Sequence, residues 1–584
     1  MPVENRNCQN CKKSFAIVAE DFEFYKKMAV PPPTWCPECR MMRRMCFFNE
    51  RSFYKKVEKR TGKEIFSMFP PDAPIEIYDR DYWWSDAWDK LASGREYDFS
   101  KPFFRQFREL QRAQPWHSRA ITRSTGSDYS NNVADMKNCY LCFNADKSED
   151  CMYGVGMVGI KNSLDCYRTV SCEYCYELET ADNCYQSFFI SFVVNCRNVW
   201  LCYNCEDCSD CFGCVNLRHK KYHIFNQPYS KEEYFAKLKE MNTGSYSSFS
   251  KLRQEFADLM MRFPRKYMTG VQNQNVIGDY LSNSKNSKYV YAGGNCENVK
   301  YSQSILMGAK DSHDYTNWGN NVELMYETLS CGENDQRVKF SYDCWSGATD
   351  VEYSMNCISC TNMFGCVGIL KKNYCILNKE YSKEEYEALL PKIKKHMDEM
   401  PYVDAKGRVY KYGEFFPPEF SFFAANESAI VDFMDMTKEQ ALAYGLAWRE
   451  ASPKEYAVTM QSGDIPDNIA DSTEDITKQI IACAGCKKGY RIIPGEFQFL
   501  KRFGIPAPRH CFNCRHARRV NLRNKPRWYQ GSCQCVGAAS KNGLYQNVGK
   551  HPHEGVCTNT FETSYAPDQK EIVYCESCYQ QEVV

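Results

Sequence analysis

The sequence lacks almost every feature that marks a membrane protein, a secreted protein or an enzyme. Its 74 Lys and Arg against 73 Asp and Glu leave a net charge of +1. No global field therefore draws in nucleic acid or an anionic membrane, and either partner would need a local patch. No apolar run approaches the ~20 residues of a bilayer span. The opening MPVENRNCQNCKKSF has no apolar signal-peptide core. These absences lead us to expect a soluble, cytoplasmic chain with no membrane partner. Histidine is scarce, at nine residues. HExxH, GxSxG, a Walker loop and GxGxxG after a strand are all missing, so no motif with a mechanism signals a catalytic site. His117, His219, His223, His313 and His396 are isolated and read as surface or packed residues.

What the chain has in excess is cysteine, 34 residues, and tyrosine, 40. Thirteen of the cysteines lie between Cys139 and Cys214, with Asp or Asn often before the Cys and Tyr or Phe often after it. Such a repeat implies short coils that stack like residues on like residues, the logic of a solenoid. The aromatic anchors Tyr140, Tyr153, Tyr167, Tyr176, Tyr185, Tyr203, Phe212 and Tyr222 are too widely and unevenly spaced to fit any helix. Short runs of β-branched and aromatic residues between Asn, Asp, Ser and Gly read as short strands and tight turns. A parallel β-solenoid follows, with cysteine in a narrow interior.

A second copy supports this. FGCVNLRHKKYHIFNQPYSKEEY from Phe212 matches FGCVGILKKNYCILNKEYSKEEY from Phe364 without a gap, at an offset of 152 residues. Upstream of the second copy, aromatics from Tyr289 to Tyr374 keep a similar and more even beat where cysteine is lost, so the period belongs to the fold. Both copies end in Tyr-Ser-Lys-Glu-Glu-Tyr, a capping box with a hydrophobic staple. We expect capping helices from 230 to about 241 and from 382 to about 398, closing the solenoid ends. A further helix is expected from Ser248 to Met261.

The two ends carry metal-ligand spacing. Cys8-x2-Cys11 and Cys36-x2-Cys39 are separated by 24 residues, as are Cys483-x2-Cys486 and Cys511-x2-Cys514. In a reducing compartment such pairs are metal ligands before they are disulfides. Two CxxC turns joined by strands form a tetrahedral S4 zinc site. The likeness between the ends extends beyond the ligands: CxxCKKSF against CxxCKKGY, DFEFYKK against EFQFLKR, PPPTWCPECRMMRR against PAPRHCFNCRHARR. With SMFPPDAPIEIYDRDYWWSDAWD and TSYAPDQKEIVYCESCYQQEV, these motifs resemble, over nearly the full length, a group of uncharacterised zinc-ribbon proteins of candidate-phylum bacteria and large DNA viruses. Some members carry a CaiB/BaiF CoA-transferase label, which no residue pattern in this chain supports. The resemblance implies zinc ribbons at both ends and supplies no activity.

A third metal module is expected at the C-terminus, where Cys575 and Cys578 are ligands by spacing. Two of Cys533, Cys535 and Cys557 complete the site, or a histidine, His551 or His553, replaces one. About three zinc ions are expected in all. The arginines after the second CxxC of each ribbon, Arg40, Arg43 and Arg44, then Arg515, Arg518, Arg519 and Arg523, are the candidate phosphate contacts, with a solvated face as the plainer reading. Cys202, Cys205, Cys208, Cys211 and Cys214 recur every three residues, as ligands of a cubane cluster do. The second copy, however, has Ser354 and Met363 at two of these places, so a packed ladder of reduced thiols is expected there.

The expected architecture is mainly β: tandem parallel β-solenoid repeats with short capping helices, flanked by zinc ribbons. Ribbon 1 spans 1–48, a β-hairpin with an aromatic and helical packing segment 49–128, and the first solenoid copy 129–228. Capping helices fill 229–265, the second copy 266–380, and another cap 381–400. A hairpin, helix and linker fill 401–470, ribbon 2 spans 471–530, and the last zinc module 531–584. The aromatic segment is expected to pack on the first solenoid coils. The expected function is a non-enzymatic zinc-binding scaffold with a nucleic-acid or protein partner. The alternative is a redox or hydrolytic enzyme, using an Fe–S cluster at Cys202 to Cys214 or an acidic site on a solenoid face.

Overall fold

A computed structural model describes residues 3–450 and 457–583. The centre of the chain is two stacks of parallel coils, forming sheets of 11 and 12 strands. The first stack begins at Ile121–Thr122, ahead of the expected 129, and its strands pair in one constant step: Phe143 with Val155, Val155 with Tyr167, Tyr167 with Glu179. One turn of the coil thus takes 12 residues, the same step that separates Asn183 from its partner Asn195.

Its shape follows from a shorter period. From Asn132 to Phe225 every third residue has a positive φ, between 46° and 69°. Each such residue turns the chain through a corner. Four three-residue sides thus make one coil, and the residue after each corner points inward. All thirteen cysteines from Cys139 to Cys214 fall on that inward phase, and all are buried. Asn and Asp tolerate the left-handed corner better than most residues, which explains why they so often precede Cys. At the corners they also stack in ladders: Asn183 donates to Asn195 at 2.8 Å, and Asn204 to Asn216 at 2.8 Å. The interior is narrow, so small side chains fill it. Each thiol also donates to main-chain carbonyls, as Cys142 does to Tyr140 O at 3.7 Å and Cys151 O at 3.5 Å.

The second stack follows the same plan with longer coils in its middle. Between Cys296 and Glu352 the step lengthens to 13 residues, as from Ser302 to Tyr315. From Thr349 onward it returns to the step of the first stack. The offset between equivalent residues of the stacks accordingly grows from 148 at Tyr153 and Tyr301, through 149 at Asp165 and Asp314 and 150 at Glu177 and Glu327, to 152 at Phe212 and Phe364.

Both stacks end alike. The side-chain amide of Asn226 accepts from Val215 N and donates to Val215 O, at 2.8 and 2.9 Å, taking the place of a further strand. Asn378 does the same to Val367, at 2.8 Å in both directions. Helices Lys231–Glu240 and Lys383–Glu399 follow, each with its capping box closed, and they bury Tyr234 and Tyr386. The helix between the stacks is Tyr246–Met260.

Several expectations need correction. The aromatic helix Phe103–Ala113 packs on the second stack, with Phe103 5.3 Å from Tyr353 and 5.1 Å from Phe364, ring centre to ring centre. The helix expected within 401–470 is short, Lys438–Tyr444, closed by a left-handed C-cap at Gly445. Of the linker expected at the end of 401–470, residues 451–456 lie outside the described residues. The remainder is held down: Met460–Gln461 pairs with Ile481–Ala482, and Ile465 and Ile469 are buried. Between the two cysteine pairs of each ribbon there is a helix as well as a strand, Ala19–Lys27 at the first and Pro494–Phe503 at the second.

The corner geometry generates a test. Asn195 has a φ of 54° at an exposed corner. Asn195→Val should cost about 1–2 kcal/mol of stability, while Asn195→Gly should cost less, both read from denaturant unfolding of the full chain.

Candidate metal centres

Each terminal module builds a knuckle from a tight turn and a helix N-terminus. In ribbon 1, Cys8 and Cys11 sit at the end of the strand Glu4–Asn7, and Cys36 is the N-cap of the helix Pro37–Met45, with Cys39 in its first turn. In ribbon 2, Cys511 is the N-cap of the helix Phe512–Val520. The helix Glu576–Val583 repeats the pattern directly after Cys575. In all three, the main-chain N–H of the helix-leading cysteine donates to the first cysteine's sulfur: Cys36 to Cys8 at 3.3 Å, Cys511 to Cys483 at 3.3 Å, Cys575 to Cys533 at 3.2 Å.

Four groups result whose ligand atoms all lie within 4.8 Å of one another: Cys8, Cys11, Cys36 and Cys39; Cys483, Cys486, Cys511 and Cys514; Cys533, Cys557, Cys575 and Cys578; and Cys535, His551, His553 and Cys578. The first three are S4 sets. A tetrahedron with metal–sulfur arms of ~2.3 Å has edges of ~3.8 Å. Cys11 and Cys36 are 3.8 Å apart, Cys486 and Cys511 3.7 Å, Cys483 and Cys514 3.7 Å, and Cys557 and Cys578 3.8 Å. The residues therefore fit a tetrahedral thiolate-bound ion. Some sulfurs are also prepared as anions. Burial opposes ionisation of Cys483, yet N–H donation from Cys511, Cys486 and Gly485 holds it down to about 6. Burial likewise opposes ionisation of Cys575, which Asn559 and Ser577 hold down to about 6.

At the C-terminus, Cys533 and Cys557 complete the S4 set with Cys575 and Cys578. Cys535 instead faces the two histidines. Among the described residues, no solenoid cysteines join a group of this kind. Cys202, Cys205, Cys208 and Cys211 are the four inward positions of one coil, and Cys214 stacks above Cys202. Their spacing of three is the spacing of the corners.

The knuckle arginines do not face solvent. Arg40, Arg43 and Arg44 are at most 1% exposed, and their helix lies against the strands Ala309–Trp318 and Val322–Leu329 of the second stack. Arg40 and Arg44 meet Asp314 at 2.8 and 3.1 Å, and Arg43 and Arg44 meet Glu327 at 2.7 and 3.1 Å. Arg43 also reaches Glu414 at 2.7 Å. Ribbon 2 repeats this on the first stack. Arg515 and Arg519 meet Asp165 at 2.8 and 2.7 Å, and Arg519 meets Glu177 at 3.1 Å. Arg518 pairs with Glu177 too, and Arg523 lies 3.4 Å from Glu179. The agreement extends to the surroundings. Tyr301 donates to Asp21 at 3.1 Å under Arg40, as Tyr153 donates to Glu496 at 3.0 Å under Arg515. As candidate phosphate contacts these arginines are corrected: six of the seven are buried, Arg518 is half-buried, and carboxylates occupy all of them.

Sequence reasoning missed the carboxylates. Asp165, Glu177, Asp314 and Glu327 all stand at positive-φ corners, with φ between 48° and 57°. The signal was their phase, one residue before an inward position. A glutamate there bears strain, and the docked guanidinium groups hold it in place. The acidic solenoid face that would revive a hydrolytic site is thus present but filled by arginine.

The C-terminal module sits at the junction of the stacks. Its strand Val573–Tyr574 pairs with Arg265–Lys266, and Thr563 donates to Tyr267 O at 2.6 Å. Among the described residues no helix is long and apolar enough to cross a membrane. Together these features define a tandem β-solenoid with knuckles docked onto it whose cysteine groups could hold metal ions. No family model matches the chain and no curated protein matches it, so the likeness of its ribbons to other proteins rests on the motifs quoted above.

Two outcomes follow. Asp165→Ala leaves Arg515 and Arg519 buried and short of a partner, which should cost about 3–5 kcal/mol, read from chemical unfolding. In a metal-loaded chain, chelation should expose the knuckle cysteines to a thiol reagent, while the stack cysteines from Cys139 to Cys214, at most 2% exposed, stay protected.

Proposed function

We propose that the protein is a non-enzymatic scaffold whose zinc knuckles clamp two solenoids into one rigid surface for a protein partner. The observation that carries this reading is the inward use of both knuckles. Their arginines are consumed by buried carboxylates, so the ribbons act as clamps between distant parts of the chain. Zinc suits this role because a thiolate site supplies folding energy where a small knob cannot build a core.

The outer columns of the stacks favour protein over nucleic acid. Along the first stack Lys137, Glu149, Lys161 and Glu173 follow one another from coil to coil with alternating sign, and along the second Lys285, Glu297, Lys310 and Glu323 alternate likewise. Such columns carry no net charge for a phosphate backbone to follow. A cleft of about 860 Å³ between ribbon 1, the second stack and the segment after ribbon 2 is lined by Met41, Met42, Tyr289, Met434, Met436 and Trp528 among others. Charged side chains of both signs, Lys13, Glu20, Lys288, Asp435 and Arg527, line it as well, and such a mixed aromatic and charged lining suits an amphipathic protein segment.

The test is charge reversal. Arg44→Glu and Arg519→Glu should leave a chain that unfolds or becomes protease-sensitive at every salt concentration. RNA and DNA binding by the parent, measured by anisotropy, should stay within the weak non-specific range of ~10⁻⁴–10⁻⁶ M at physiological salt. Tight, salt-sensitive binding by the parent that disappears in stably folded variants would overturn the reading.

A further inference from the structure

We propose that the C-terminal module holds two metal ions bridged by the thiolate of Cys578, which brings the chain to four ions. Cys578 belongs to both groups there: to the S4 set with Cys533, Cys557 and Cys575, and to the set with Cys535, His551 and His553. Its sulfur lies 3.8 Å from Cys557 Sγ on one side and 3.2 Å from His553 Nε2 on the other. Seven residues thus fill two four-coordinate shells, with one sulfur shared.

The histidines are set up as ligands. His551 turns Nδ1 toward Cys535 Sγ at 3.4 Å, and its Nε2 donates to Glu582 at 2.7 Å. His553 turns Nε2 toward Cys578, and its Nδ1 donates to Gly555 O at 2.8 Å. Each ring is therefore held from its far nitrogen by an oxygen acceptor, which fixes the tautomer and leaves the near nitrogen's lone pair facing the sulfurs. This is the second-shell arrangement of metal-bound histidine. Glu582 is itself fixed, by Tyr545 Oη at 2.9 Å, Val548 N at 2.9 Å and Gly549 N at 3.1 Å, and its side chain is fully buried. Cys578 and Glu582 stand four residues apart on the helix Glu576–Val583, so one helical face carries both the bridge and the support of a ligand to the second ion.

A single ion in the S4 set leaves the rest without a purpose. Cys535 is fully buried, and Asn547 donates to its sulfur at 3.2 Å. Charge also favours the pair. Five thiolates and two dications leave one net negative charge, whereas one ion in four thiolates leaves two.

The full-length chain, purified without added metal, is assayed for zinc and iron per chain. Four zinc ions are expected. Cys535→Ser and His551→Ala should each lower the count to three, and Cys578→Ser should lower it to two. Because Cys578→Ser can destabilise the module, the parent protein loaded with cadmium-113 supplies an independent readout. Two cadmium resonances should show mutual coupling through the shared sulfur, and that coupling should vanish in Cys535→Ser. A parent that binds three ions, a Cys535→Ser chain that keeps the parent's count, or four cadmium resonances without coupling would each overturn the proposal.

Discussion

The structure depends on the buried clasp between knuckle arginines and corner carboxylates. Removing a guanidinium and a carboxylate from water is costly, and the attraction between them offsets that cost only where the geometry is close and other donors are satisfied. Here Asp165, Glu177, Asp314 and Glu327 each meet more than one arginine, and each arginine follows a helix start that carries two cysteines of a candidate metal group. On the proposed reading a bound metal places the helix for the clasp. The knuckle in turn has little core of its own and needs the stack to cover it. Neither part is a free-standing accessory.

The clasps also cross. Ribbon 1 precedes the first stack in sequence but docks on the second, while ribbon 2 follows the second stack but docks on the first. Arg44 meets Asp314, 270 residues away, and Arg519 meets Asp165, 354 residues away. With the C-terminal module held between the stacks by Arg265–Lys266, the chain's two ends and its middle form one body. This arrangement ties both stacks and both ends of the chain together, which is the property the scaffold reading requires.

Much of this was legible in the sequence. The ungapped repeat around Phe212 and Phe364 marked two solenoid copies, the Ser-x-x-Glu boxes marked the caps, and the paired CxxC turns marked two groups that could hold metal. The coil length is not legible in the beat of the tyrosines. Tyr140, Tyr167 and Tyr185 stand on different sides of the coil, so their gaps mix several sides. The cysteines show the three-residue side, since all thirteen share one phase of three, and these tyrosines share the next; neither set marks the twelve-residue coil. The arginines were misread because their partners lie hundreds of residues away, and a run of charge shows nothing of what it faces. His551 and His553 were weighed only as substitutes for a cysteine, because no sequence spacing shows that one sulfur serves two ligand sets.

The most direct test of the crossed clasp is hydrogen exchange on the full-length chain after one ribbon is disabled by Cys36→Ser with Cys39→Ser. The account predicts lost protection in the strands Ala309–Trp318 and Val322–Leu329 of the second stack, with the first-stack strands Leu164–Val170 and Tyr176–Asp182 unchanged. Lost protection in the first stack, with the second unaffected, would contradict it.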